Sequence, residues 1–134
     1  MEETTHRSVS AEISRRAVQI LADYTGRGPT KAHTLVNRDL ITILLGDTLT
    51  KGERRLAEMK QQAHVLETRR RYQSAMQDDL VAAVEEESGR KVIAFMSDNH
   101  IEPDVAAEIF VLEREDNGSG PLSDASTHGP PSGV

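Results

Sequence analysis

The stretch TLVNRDLITILLGDTLTKGE, Thr34 to Glu53, decides the fold. Its first part is rich in β-branched and aliphatic residues, in two runs, Ala32–Val36 and Leu40–Leu45. Between them sits Asn37-Arg38-Asp39. Asn and Asp tolerate left-handed backbone, so the runs read as strands joined by a tight hairpin turn. Gly46-Asp47 ends the second strand. Then the chemistry changes. Thr50-Lys51-Gly52-Glu53 is a capping box, in which a threonine hydroxyl accepts from an orphan N–H and a glutamate three residues on reaches back. A hairpin therefore runs straight into a helix.

That helix is long. After Gly52 there is neither glycine nor proline until Gly89. Leu49, Leu56, Met59, Ala63, Leu66, Leu80 and Val84 fall on a seven-residue pattern that Arg70, Gln73 and Gln77 interrupt. The spacing predicts one helix to Ser88, or two with a bend near Gln61–Ala63. Unbroken it would run ~57 Å at 1.5 Å per residue, more than a domain of this size can cover. The expectation is a homodimer through this helix. An antiparallel pair would set Glu85–Glu87 against Arg54, Arg55 and Lys60, with Arg69-Arg70-Arg71 of the two chains at the crossing.

Outward from this centre the pattern is simpler. Ile13, Ala17, Ile20, Leu21 and Tyr24 follow helical spacing, which predicts a helix from about Ala11 to Thr25, stopped by Gly26. Beyond Gly89, Lys91–Met96 and Ala107–Leu112 read as a second strand pair, joined by a loop over Ser97–Asp104. The order is α-ββ-α-ββ. The expected fold class is α+β, with a four-stranded antiparallel sheet packed against two main helices, the second one long. One domain spans 10–114, after a flexible N-terminus of nine residues. From 117 on, eleven of eighteen residues are Gly, Pro or Ser; such a segment cannot bury enough surface to offset ordering entropy, so a disordered tail is expected over 115–134.

Composition narrows the function. The 134 residues include no Cys, which excludes disulfides, thiolate metal sites and cysteine nucleophiles. No apolar run approaches a membrane span, and the polar start is unlike a signal peptide. A cytoplasmic protein is expected, reaching the membrane periphery through a partner, without inserting. The net charge of −6 is unevenly spread: Arg27–Arg71 carries +5 and Asp78–Asp116 carries −9. The acidic second half and the scarcity of aromatics argue against nucleic acid.

Several residues could carry chemistry. Gly26-Arg27-Gly28-Pro29-Thr30-Lys31 resembles a phosphate cradle, but it leaves a helix C-terminus, whose dipole repels anions. It reads first as a joint, with Arg27, Gly28, Thr30 and Lys31 as candidates for a small anion or an acidic partner. Arg69, Arg70 and Arg71 are the second candidate group. No two histidines have the i, i+4 spacing of a zinc site, and His33 and His64 read as ordinary surface or packing residues. His128 stands alone in the tail. His100, beside Asp98 and Glu102, is the best general base, yet no nucleophile lies near it in sequence. No catalytic residue, metal or cofactor is expected.

The ordered set Gly26-Arg27-Gly28-Pro29, Asn37-Arg38-Asp39, Leu49-Thr50 with Glu53 and Leu56, Gly89 before Val92, and Ser97-Asp98 before the last strand resembles the MpsC domain family over about residues 10–113. That family is named for a sodium-translocating, membrane-potential-generating system. The resemblance implies a non-enzymatic accessory or regulatory protein, partner of a membrane transport system for ions or inorganic carbon. It supplies no catalytic residue. Lys51-Gly52 departs from the proline and small residue often found there. A small-anion-binding sensor is the alternative.

Overall fold

The computed structural model describes residues 2–114, with side chains from Val9 on. The tail from 115, and His128 with it, lies outside the described residues. The elements are α1 (Glu2–Thr25), β1 (Lys31–Asn37), β2 (Leu40–Gly46), α2 (Lys51–Glu58), α3 (Gln62–Ser88), β3 (Val92–His100) and β4 (Val105–Leu112). The four strands form one antiparallel sheet in the order β1-β2-β4-β3. The last strand thus inserts between β2 and β3, and β3 becomes an edge.

The core follows from two periodicities. Every second residue of a strand faces one side of the sheet; Ile41, Ile43 and Leu45 of β2 and Ala106, Phe110 and Leu112 of β4 do so here. Ile13, Ala17 and Leu21 of α1 and Met76, Leu80 and Val84 of α3, at helical spacing, close over them. Phe95 packs its ring against Phe110, centroids 5.1 Å apart. The expected α+β architecture, a four-stranded antiparallel sheet against two main helices, α1 and the long α3, is what forms, with the short α2 as a third helix.

The β1–β2 hairpin turns at Arg38-Asp39, with Arg38 left-handed at φ 58°. A positive φ is costly for arginine. Arg90 holds the turn in place: Nη1 donates to the Arg38 carbonyl at 2.9 Å and Nη2 pairs with Asp39 at 2.7 Å.

Two expectations need correction, and one open alternative is resolved. First, α1 begins at Glu2 rather than near Ala11. Second, of the two readings of the long stretch, two helices with a bend near Gln61–Ala63 is the one that forms. Lys60 is left-handed at φ 65°, and Gln61 N–H bonds the Leu56 carbonyl at 2.9 Å, a C-terminal closure that ends α2. Third, the first half of the expected 97–104 loop is strand. Ser97 pairs with Glu108 and Asn99 with Ala106, so β3 runs on to His100. Polar residues are tolerated there because an edge strand is half solvated.

The buried stripe of α3 also differs from the seven-residue pattern. It is Val65, Arg69, Gln73, Met76, Leu80, Ala83 and Val84. Gln73, read as an interruption, faces the core, whereas Met59 and Ala63 are exposed.

Candidate functional site

The joint after α1 is built for close approach. Gly26, left-handed at φ 81°, caps the helix, its N–H bonding the Ala22 carbonyl at 2.9 Å. Gly28 then passes so near α1 that an added Cβ would lie 3.2 Å from Val18 Cγ1 and 3.5 Å from Ala22 Cβ. Pro29 is buried. The chain emerges with Arg27 and Thr30 facing Asp47, at the far end of β2. Arg27 Nη2 lies 2.6 Å from Asp47 Oδ2, and Thr30 Oγ1 donates to the same oxygen at 2.9 Å.

Asp47 also pairs with Arg54 of α2. Arg54 reaches on to Asp104 at 3.2 Å. Asp104 accepts from Thr48 N–H and Oγ1 and from Leu49 N–H, all within 3.0 Å. This latch joins four segments: the α1–β1 joint, the end of β2, the start of α2 and the β3–β4 turn. The hydrogen bond from Thr30, then the Arg27 and Arg54 guanidiniums, hold the Asp47 carboxyl below its usual range. The candidate anion donors Arg27 and Thr30 are therefore brought together around an anion of the chain itself. Lys31 stands apart, its side chain lying over Gly46 on the opposite face of the sheet from the helices.

The arginine triplet divides. Arg69 is buried, with 3% of its surface exposed. Its Nη1 lies 3.2 Å from Glu53 Oε1 and 3.4 Å from the Thr48 carbonyl. Glu53 Oε1 also accepts from Thr50 N–H at 2.9 Å, while Thr50 Oγ1 accepts from Glu53 N–H at 3.1 Å. The capping box read from sequence is thus the anchor of a buried ion pair. Arg70 and Arg71 instead share Glu67, at 2.8 and 3.3 Å, with side chains 65% and 79% exposed.

Beyond Arg69, one turn along α3, Gln73 faces Glu108 of β4, which is 1% exposed. Burial pushes the Glu108 carboxyl up to about 7, against the opposing pull of Ser97, Arg69 and Gln73. Glu108 Oε1 and Asn99 Oδ1 are buried without a hydrogen-bond partner among the described residues. Ser97 Oγ has no partner of good geometry either, yet it lies near enough to draw the carboxyl down. Glu53, Arg69 and Glu108 together carry one negative charge in excess when ionised, inside a two-layer core. A single proton on Glu108 neutralises it.

Sequence reasoning missed Glu108 and both aspartates of the latch. A signal for Glu108 was present. It occupies an inward position between Ala106 and Phe110, in register with the apolar residues of its strand. No sequence signal brings Asp47 and Asp104 together, because they are 57 residues apart and meet only through strand order.

The other candidates have local partners. His100 Nδ1 lies 2.9 Å from the Pro103 carbonyl and clamps the β3–β4 turn. Asp98 accepts from Asn99 N–H at 2.8 Å. His64 is exposed on α3. Glu86 and Glu87, expected against a second copy, pair with Arg16 of α1 at 2.8 and 3.2 Å. Among the described residues no cluster of three or more His, Asp or Glu is placed to hold a metal ion, and no helix is long and apolar enough to cross a membrane.

A family model described as Na+-translocating membrane potential-generating system (MpsC) matches residues 5–114. No curated protein and no solved structure matches the chain.

Proposed function

The chain belongs to the MpsC family, and we propose that it serves as a non-enzymatic accessory protein of a Na+-translocating membrane system. The observation that carries this reading is the family match, which covers residues 5–114 and so nearly all of the described residues. Since no described helix can cross a membrane, the translocating step belongs to a membrane-embedded partner, and this chain acts by docking on it. The docking face we assign is the exposed basic surface of α3 around Arg70 and Arg71. Their pairing with Glu67 is a solvated, salt-screened interaction, so a partner's carboxylates can replace it at little cost. Arg69 takes no part, because it is committed to Glu53. The non-enzymatic reading has support from the polar residues flagged for chemistry: Arg27, Thr30 and Arg69 each hold one segment of the fold to another, and His100 closes the β3–β4 turn. A small-anion sensor at the α1–β1 joint has less support, since Asp47 already engages Arg27 and Thr30.

The test is genetic and electrical. Cells lacking this chain should show a reduced Na+-dependent membrane potential. The wild-type protein should restore it, and the doubly reversed variant Arg70→Glu/Arg71→Glu should not, although it folds. An unchanged potential in the deletion strain would reject the accessory role. Full restoration by the reversed variant would reject the docking face.

A further inference from the structure

The sheet face turned away from α1 and α3 has no covering layer among the described residues. Leu35, Leu40, Leu44 and Met96 stand on it, each 41% to 53% exposed. Antiparallel sheets commonly leave one face to water, but that face is then polar. A contiguous apolar patch of this kind marks an interaction surface. Residues 115–134 include only one leucine and one valine, too little apolar surface to cover it.

We propose that this face binds a second copy of the chain, sheet on sheet, about a two-fold axis running along the strands. The strand register makes the face self-complementary for that axis. One row across the sheet reads His33, Leu44, Ala107, Asp98, and the next reads Lys31, Gly46, Val105, His100. The axis exchanges β1 with the partner's β3 and β2 with the partner's β4. Leu44 then lies over the partner's Ala107, large against small, and the partner's Val105 meets the Lys31 side chain that covers Gly46. Lys31 and His33, at one edge, come within reach of the partner's Asp98, at the other. A two-fold axis across the strands would instead leave Lys31 and Asp98 on opposite edges, without each other.

Size agrees. Four strands of seven residues present a face of about 19 by 24 Å. Two such faces, crossed by about 30° as stacked sheets are, withdraw on the order of 1,000 Å² from water, the lower bound of a specific interface. Because the helix face already uses Glu86, Glu87 and Arg69 within one chain, the sheet face is the better self-association surface.

Sedimentation equilibrium of the full chain reads this directly. The expected result is a species of twice 14.8 kDa at micromolar concentration. Leu44→Asp should yield a monomer with unchanged circular dichroism, as befits a residue that is half exposed. Lys31→Glu and Asp98→Lys should each weaken the dimer about tenfold, and the double exchange should restore it. A monomer at every concentration would overturn the proposal, as would a dimer indifferent to Leu44→Asp. Failure of the double exchange to restore association would overturn the axis. None of these outcomes depends on the membrane role.

Discussion

Glu108 is the residue at which this fold departs furthest from a simple apolar core. Its folded carboxyl titrates near 7, well above an ordinary glutamate. The folded state therefore holds a proton that the unfolded chain releases, and stability falls as pH rises from about 4.5 to 7 and then levels off. A shift of that size is worth at most about 3 kcal/mol. Thermal melts of wild type and Glu108→Gln between pH 5 and 8 should show this decline in the wild type and little of it in the variant. The variant should be at least as stable at pH 8. The depressed groups Asp47 and Glu67 work in the opposite sense, losing their contribution only as pH falls through their lowered values, below this window. Arg69 gives the complementary prediction. Arg69→Met leaves Glu53 buried without its cation, and should cost about 3–5 kcal/mol in urea unfolding. Arg70→Ala should cost no more than about 0.5 kcal/mol. Three adjacent arginines look equivalent in sequence. Only the rotation of α3 on the sheet separates the buried one from its neighbours, and that rotation is set by a stripe containing Arg69 and Gln73, which no apolar pattern can reveal.

At the scale of elements, the joints carry the specificity. Gly28→Val places side-chain atoms against Val18 and Ala22 of α1, and should destabilise by about 1–3 kcal/mol through overpacking. Arg27→Ala removes one half-exposed ion pair and should cost about 1 kcal/mol or less. Equal and negligible costs for both would contradict the close approach of joint and helix. At the elbow between α2 and α3, Lys60 sits in left-handed backbone. Lys60→Gly should therefore raise stability by up to about 1 kcal/mol, measured by urea denaturation. The elbow was legible only as an alternative, a bend near Gln61–Ala63, because no glycine or proline marks it. Its cause is tertiary: α2 is anchored by Glu53 to Arg69, and the chain must turn to let that pair form. The capping box and the hairpin, by contrast, rest on local chemistry, and both lie where the spacing places them. The extension of β3 escaped because its polar residues resemble a loop until β4 supplies their partners.

For the whole molecule, the charge imbalance between the two halves has a plain structural meaning. Arg54 with Asp104 joins the basic half to the acidic one, Arg16 with Glu86 and Glu87 ties α1 to the acidic half, and Arg90 with Asp39 pairs the halves in the opposite sense. Among the described residues, the arginine face of α3 pairs only within its own helix, and the apolar sheet face has no covering layer. The first suits an acidic partner and the second a copy of the same chain. The α+β class and the family were both legible from ordered local motifs. The latch was not, since it needs strand order, which no local pattern contains; the buried Glu108 left a trace in the alternation of its strand, between Ala106 and Phe110, but its burial beside Arg69 and Gln73 needs the packing of α3. The central claim is that this protein acts by docking on a membrane-embedded translocation partner. Its most direct measurement is stoichiometric co-purification from membranes in mild detergent, with wild type and Arg70→Glu/Arg71→Glu compared. The account predicts that membrane subunits able to move Na+ accompany the wild type in fixed ratio and are lost from the variant. Recovery of the wild-type chain without any such subunit would contradict it.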